Sequence, residues 1–434
     1  VGETCDLGDL YVNLIGEGHE VRVAVSEPMA TGTLAGLCPR VADWRAHLPW
    51  VREAGGEGVI LFEAVSDGLG ALQDSLRAEG FNVVGGSAYG DRLENDRLFA
   101  QGVLAELGFP GGHVWRFERA ADGAAFVLGR PGRYVLKYDG GQHASSDNYI
   151  GQSADGRDLV ALLQARALQD SDGADRFILM QFIEGVEMGV GAYFDGTRFL
   201  RPACLDWEHK RFFAGDMGEL TGEMGTVVTY RRTERFFELT LARMESRLRA
   251  HGHVGYVNLN TIVNDRGIWP LEFTSRFGYP GFAILAPLQD IGWGALLSAV
   301  AGGTSRGFPT RPGFCVGLVV TTPPFPYTRK QIGEPVGLPV LIGDDLDPRH
   351  VHYGEVGLNG AGQLVTSGLY GWTLVVTGDG ADIAAAQAEA YRHARSIMIP
   401  NGRYRLDIGD RLMSGDYARV EALGLLDPLT AGAA

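Results

Sequence analysis

The 434-residue chain has no run of 18 or more apolar residues, so no membrane-spanning helix is expected. Basic charge is short: 38 Lys and Arg stand against 53 Asp and Glu, a net charge of −15. That balance disfavours unaided binding to nucleic acid or to an anionic membrane surface. Cysteine is scarce. Cys5, Cys38, Cys204 and Cys315 are widely spaced and form no paired ligand motif, which argues against a disulfide framework and a zinc site. Reduced thiols in a cytoplasmic protein are the simple expectation. No G-K-[ST] triplet follows a glycine-rich loop, so a Walker-type phosphate loop is excluded. No Ser-His-Asp or Cys-His arrangement suggests a nucleophilic side chain. The start lacks the basic and apolar regions of a secretory leader. It also lacks Met and opens on Val1-Gly2 as if at the end of a first strand, so a few residues are expected to precede it.

What is plentiful is glycine, 63 residues, and an alternation of strand and helix patterns. The first ninety residues predict a helix over 8–17, strands over 20–26, 58–63 and 81–85, and a helix over 68–79, the order of a parallel sheet. A helix over 94–107 ends at Gly108-Phe109-Pro110. From 112 to about 193 the pattern suits a small α+β lobe, with strands over 134–137, 176–182 and 190–194 and a helix over 156–168. A helix over 234–251 then leads to strands over 255–263 and 269–273, joined by a hairpin turn at 264–267. The Gly-, Pro- and Arg-rich stretch 302–313 is the best boundary candidate. Strands over 315–321, 352–358, 363–366 and 371–377 follow, then a helix over 381–396.

Two apolar runs end in chemistry. L-E-F-T-S-R-F-G, residues 271–278, carries Glu272 and Arg276 at the end of a strand. Glu272 can supply hard oxygen to Mg²⁺, and Arg276 offers a fork that fits phosphate or carboxylate. Thr274 shares a face with Glu272 if the strand continues, and Asn258 and Asn260 on the preceding strand can approach them across a hairpin. A polar ladder on a half-exposed sheet is the plainer reading. Y-V-L-K-Y-D-G-G, residues 134–141, puts Lys137 on a strand running into the glycine-rich stretch 140–151, whose amides could close over phosphates. A structural salt bridge explains Lys137 equally well, because a lysine facing inward needs an anionic partner. Gln181-Phe182-Ile183 can form a hinge against an adenine ring, with Glu187 accepting from ribose hydroxyls. A core strand with a solvated turn has the same spacing. His209, Lys210 and Arg211, within D-W-E-H-K-R, suit a loop facing phosphates or an acyl intermediate, or simply the surface.

In this order the motifs resemble those of the ATP-grasp superfamily, and within it the phosphoribosylamine–glycine ligases, also called glycinamide ribonucleotide synthetases. The similarity runs almost end to end and is most specific at H-K-R, T-G-x-M-G and L-E-F-x-x-R-F-G. The resemblance implies a multidomain α/β and α+β protein: an N-terminal parallel-sheet domain over 1–93, an ATP-grasp domain over 94–310 with a small nucleotide-clamping lobe at about 112–193, and a mixed α/β domain over 311–434. It implies ATP and Mg²⁺, or Mn²⁺, as cofactors. Arg97 and Lys137 would contact phosphates, Gln181-Phe182-Ile183 the adenine and Glu187 the ribose. Glu272 would hold the metal, with Thr274 where the family has asparagine and Asn260 nearby. Arg276 would brace the transferred phosphate, and His209, Lys210 and Arg211 would line the reaction centre.

The departures gather on the substrate side. The N-terminal phosphate loop of the family is replaced by G-E-T-C-D-L-G, where Glu3 and Asp6 would repel a sugar phosphate. Tyr279-Pro280-Gly281 stands where the family continues Asp-Pro-Glu, and the 142–148 loop lacks Gly-Lys-Gly. The expected activity is therefore an ATP-dependent carboxylate–amine ligase working through an acyl phosphate, on small molecules other than phosphoribosylamine and glycine. Authentic phosphoribosylamine–glycine ligase and a non-catalytic ATP-binding homologue are the alternatives. Neither nucleic acid nor membrane is an expected partner, and a monomer or homodimer is the ordinary expectation.

Overall fold

The computed structural model describes residues 1–138, 148–169, 176–303 and 305–428. Its centre is an eight-stranded antiparallel sheet in the order Gly267–Thr274, Val254–Asn264, Val186–Asp195, Cys204–Glu208, Gly225–Thr229, Phe314–Thr321, Trp372–Gly380, Val351–Tyr353. Alternation along these strands divides two kinds of residue. Met188, Val190, Leu205, Trp207, Val227, Val257, Leu259 and Phe273 turn to one face and enter the largest apolar core. The polar residues between them turn to the other.

The 302–313 stretch does not interrupt this sheet. Gly225–Thr229 pairs directly with Phe314–Thr321, so strands from both sides of the expected boundary share one hydrogen-bonded ladder. The helix Ile383–Arg395 packs on the far strands, burying Ala386, Ala390 and Ala394.

The small lobe is a separate four-stranded sheet in the order Val114–Phe117, Phe177–Gln181, Tyr134–Tyr138, Tyr149–Ile150. Helices Ala120–Gly129 and Arg157–Gln169 pack together, and Val127, Leu136, Leu159, Leu163 and Leu179 close its core. The lobe ends earlier than expected. Val186–Asp195 pairs with Val254–Asn264 in the central sheet, so residues 182–185 form the crossing between the two sheets. The 139–147 segment, with most of the glycine-rich stretch expected over phosphates, lies outside the described residues.

In the N-terminal region Val59–Leu61 and Asn82–Val84 pair in parallel, beside helices Gly8–Gly16 and Leu69–Ala78. The strand expected over 20–26 is reduced to parallel bridges at Val23 and Val25, because only Val23 and Ala24 among its apolar residues are buried. The helix expected over 94–107 is two. Asp96 leaves the helical region (φ −104°, ψ 90°), its carboxylate accepts from the Phe99 amide, and a new helix starts at Arg97. Aspartate competes for such amides and so starts helices well. Likewise 234–251 breaks at Thr240, whose hydroxyl donates to the Phe236 carbonyl, into Glu234–Leu239, a 3₁₀ turn and Glu245–Ala250.

The N-terminal pair docks on the central sheet where two backbones nearly touch. The Gly85 amide donates to the Val254 carbonyl at 3.0 Å, and a Cβ on Gly255, at φ +148°, would lie 2.5 Å from the Gly85 oxygen. Gly255→Ala should therefore destabilise the protein by roughly 2–4 kcal/mol, through backbone strain and a clash with atoms that cannot rotate away. Urea denaturation checks this; an unchanged midpoint contradicts it.

Candidate active site

Antiparallel register places a polar group on the face of the central sheet opposite the core. Glu272 pairs with Asn260, Asn260 with Gly189, and Gly189 with Asp206, so these four positions form a row across four strands. Glu187 and Glu208 lie two residues from Gly189 and Asp206, on the same face. Gly189 is required there: a Cβ would sit 2.1 Å from the Asp206 carboxylate.

Glu272 is the centre of the site. Its Oε1 lies 3.1 Å from Lys210 Nζ; its Oε2 lies 3.3 Å from Arg97 Nη2 and 3.6 Å from Lys137 Nζ. The cations come from three different elements. Arg97 begins its helix, Lys137 faces outward from the small-lobe strand whose Tyr134 and Leu136 face that lobe's core, and Lys210 follows Cys204–Glu208. Lys210 Nζ also reaches Glu208 at 3.1 Å and Glu187 at 3.3 Å, and Glu187 accepts from Asn260 Nδ2 at 2.8 Å. Lys210 and then Lys137 hold the Glu272 carboxyl well below the usual range, against its burial. Burial opposes the Lys210 charge, but Glu208, Glu272 and Glu187 outweigh it and push its pKa well above the ordinary value. Lys137 moves the other way: burial lowers its pKa and Glu272 offsets this in part. Burial and the neighbouring Glu208 carboxylate raise the Asp206 pKa, although Asn258 donates to it at 2.6 Å.

The remaining expected residues lie around this cluster or apart from it. Gln181, Phe182 and Ile183 lie where the small lobe crosses to the central sheet; the Phe182 amide donates to the Arg133 carbonyl, and the Arg133 guanidinium lies 3.5 Å over the Phe182 ring. Thr274 is opposite Asn258, which is committed to Asp206. Arg276 is outside the Glu272 cluster. The strand ends at Thr274, so strand alternation no longer aims residue 276, and its Nε donates to Glu94 at 3.1 Å. His209 follows Glu208 and precedes Lys210 and turns to the opposite side, where it is buried and accepts from the Gly409 amide at 3.3 Å. Arg211 begins a small hairpin and donates to the Gly218 carbonyl at 2.7 Å.

Asp206, Glu208 and Glu223, the last of which feels the other two, are charged groups that motif reading passed over. Glu208 had a signal, since it precedes Lys210 by two residues at a strand end. The cluster had another: the chain contains only three lysines, Lys137, Lys210 and Lys330, and two of them contact Glu272.

Among the described residues no group of three or more His, Cys, Asp or Glu is arranged to hold a metal unaided. A nucleotide-bound Mg²⁺ needs less, one or two carboxylates with phosphate oxygens and water completing its shell. Glu272, kept ionised, and the Asn260 amide oxygen directly across the hairpin fit that donor set. A cavity of about 450 Å³ elsewhere, lined by Val320, Leu341, Met398 and Tyr404 among others, has no charged lining residue and no part in this site.

The family profile described as phosphoribosylglycinamide synthetase, ATP-grasp (A) domain, matches residues 95–282. The phosphoribosylamine–glycine ligase of Streptomyces coelicolor is 28% identical over 354 residues, covering 78% of this chain and 80% of its own. That of Mycobacterium tuberculosis is 29% identical over 392 residues, 86% and 88% of the two chains. The solved phosphoribosylamine–glycine ligase of Thermotoga maritima superposes with a TM-score of 0.70 at 19% identity, over 94% of this chain and 98% of that one. The biotin carboxylase domain of Hydrogenobacter thermophilus 2-oxoglutarate carboxylase, solved with MgADP and bicarbonate, gives 0.61 at 11% identity over 96% and 93%.

The buried His209 ring has a testable signature. Burial first, and then Arg405, lower its pKa from 6.5 to about 4. Between those values the unfolded chain binds a proton that the folded chain refuses, so this residue makes stability fall as pH drops from 6.5 to 4 and leaves it unaffected above. Denaturation midpoints of wild type and His209→Gln across that range should show wild type losing more stability on acidification; a pH-independent gap contradicts the assignment.

Proposed function

This chain belongs to the ATP-grasp superfamily, and from that premise we propose that it is an ATP-dependent ligase joining a carboxylate to an amine through an acyl phosphate. The observation that carries the reading is the Glu272 cluster. A carboxylate shared by Arg97, Lys137 and Lys210 keeps three cations within reach of one point between two sheets. A triphosphate entering there offers those cations stronger partners, and Glu272 is freed to ligate the accompanying ion. Mg²⁺ bound at Glu272 and Asn260 would supply charge stabilisation to the phosphates.

The steps then need only positioning by the chain. The substrate carboxylate attacks the γ-phosphorus, ADP leaves with the electrons of the bridging P–O bond, and Lys137, Arg97 and Lys210 offset the charge spreading over the transferred group. The amine attacks the acyl carbonyl, the C–N bond forms, and phosphate leaves with the electrons of the C–O bond. Gln181-Phe182-Ile183 would hold the adenine and Glu187 the ribose. Arg276 would act at the substrate end, while His209 and Arg211 would support the Lys210 turn. Closing the small lobe over the cluster would exclude water and protect the acyl phosphate.

For the substrates, we propose a pair other than phosphoribosylamine and glycine. Support comes from Asp6, whose neighbours include Glu63 and Arg276 and whose backbone amide donates to Glu63 at 3.1 Å. Burial first, then Glu63, pushes the Asp6 carboxyl up to about 6, so the loop is already crowded with negative charge. A sugar phosphate would add to it. The names of the relatives favour the second reading, phosphoribosylamine and glycine, and an assay with that pair decides between the two.

Glu272→Gln should lower ATP turnover on the order of a hundredfold with an unchanged circular dichroism spectrum. Wild-type rates at limiting Mg²⁺ would sink its role. Lys137→Met should weaken ATP binding about tenfold or more by calorimetry; equal affinity would remove Lys137 from the phosphate site.

A further inference from the structure

Beside the phosphate cluster lies a group of aromatic rings that the reading above does not use. Tyr279 stacks on Trp372 with centroids 5.1 Å apart, and Trp372 stacks on Tyr370 at 4.7 Å. Phe325 leans on the same indole and Phe212 on Phe325. Three buried polar atoms around this stack have no hydrogen-bond partner: Tyr279 Oη, Trp372 Nε1 and Glu223 Oε1. Buried polar atoms are nearly always satisfied, so three together around one stack ask for a guest. Glu223 is only 8% exposed and occupies the variable position of T-G-x-M-G. Its neighbour Gly222 faces Trp372, where an added Cβ would lie 3.7 Å from the indole. Burial first, then the Glu208 and Asp206 carboxylates, push the Glu223 pKa well above its ordinary value, with Lys210 opposing. Tyr279 feels Glu355 and Asp6 and then Glu223, so this carboxyl, held towards its neutral form, stands between the stack and the cluster.

We propose that this site receives the acceptor and takes an amine that arrives as an ammonium on a flat apolar body, an arylalkylammonium: Glu223 pairs with the charge and then takes the N–H proton, freeing the lone pair for attack, and the Tyr279–Trp372–Tyr370 stack receives the body. This rests on the ligase reading and names its amine class. Stacked rings attract a cation by their electron-rich faces, and the Glu223 carboxyl, which the guest's positive charge would hold ionised, adds a charge-assisted hydrogen bond. Asp6 extends the same sign, since its charge reaches both Tyr279 and Tyr370. The cations nearby are already engaged: Arg276 by Glu94 and Lys330 by Glu27. Arg329 donates through Nη1 to the Ser367 and Gly368 carbonyls and feels Glu355, but its Nε and Nη2 are unpartnered. Arg403, 5.2 Å over the Phe212 ring, donates to the Phe325 carbonyl at 2.8 Å, but its Nε is also unpartnered. These two are the groups an anionic guest would have to use, so the test includes one.

Calorimetric titration of the full chain, with and without Mg²⁺ and a non-hydrolysable ATP analogue, should compare phenethylammonium, neutral 2-phenylethanol and ribose 5-phosphate. Phenethylammonium is expected to bind at least about tenfold more tightly than 2-phenylethanol, and ribose 5-phosphate not to displace it. Glu223→Gln should abolish that preference, whereas Trp372→Leu should weaken both aromatic probes; the second variant carries the test if the first does not fold. Equal affinity for the two aromatic probes, no binding of either, a preference that survives Glu223→Gln, or ribose 5-phosphate binding lost in Arg329→Met would each overturn the proposal. Failure of the ligase reading would show separately, as no binding of the nucleotide analogue, because the nucleotide-free titrations do not depend on it.

Discussion

One carboxylate with three cations around it fixes the design of the site. Glu272 meets Arg97, Lys137 and Lys210, each carried by a different element. Charges withdrawn from water need partners, and a partly buried lysine or arginine without one is costly. The small lobe and the central sheet therefore meet through a charged joint rather than an apolar one. An apolar joint would have no reason to admit a triphosphate. A joint made of cations awaiting anions does, because the guest substitutes for the carboxylate that held them.

The central sheet makes that joint possible by separating its two faces. Met188, Val190, Leu205, Leu259 and Phe273 anchor each strand in the core. The alternating positions Glu187, Gly189, Asp206, Asn260 and Glu272 are thereby held to one side without further support. The carboxylates of Glu187, Asp206, Glu208 and Glu272 and the Asn260 amide crowd that side, and Lys210 is the cation that balances them, which explains why its charge persists against burial.

Much of this was legible in the chain. Strand positions over 255–263, 269–273 and 315–321 follow from apolar runs with clear turns, and the structure extends each by one to three residues. The structure brings Lys137, Arg97, Glu272, Lys210 and Asn260, all singled out from the sequence, to one place. Other features were not readable. The break at Asp96 depends on a single side-chain bond, and a helical pattern continues across it. The direction of His209 depends on Glu208 and Lys210 sharing a face, which spacing alone leaves open until the strand is known. Arg276 lies past a strand end, where alternation loses its meaning. The continuity of the sheet across 302–313 is invisible to composition, because Gly and Pro mark a surface loop equally well whether or not the strands beside it pair. The stack of Tyr279, Tyr370 and Trp372 joins residues about ninety positions apart, and no local pattern links them.

The ladder between Gly225–Thr229 and Phe314–Thr321 has a further consequence for how the chain can be divided. The strand beside Cys204–Glu208, which leads to Lys210, gets its second neighbour from beyond the loop. Cutting the chain in that loop would leave two fragments zipped along a shared edge, so nicking and dissociation are different events here. Deleting everything beyond it would instead bare a row of unpaired backbone amides and carbonyls, an invitation to self-association.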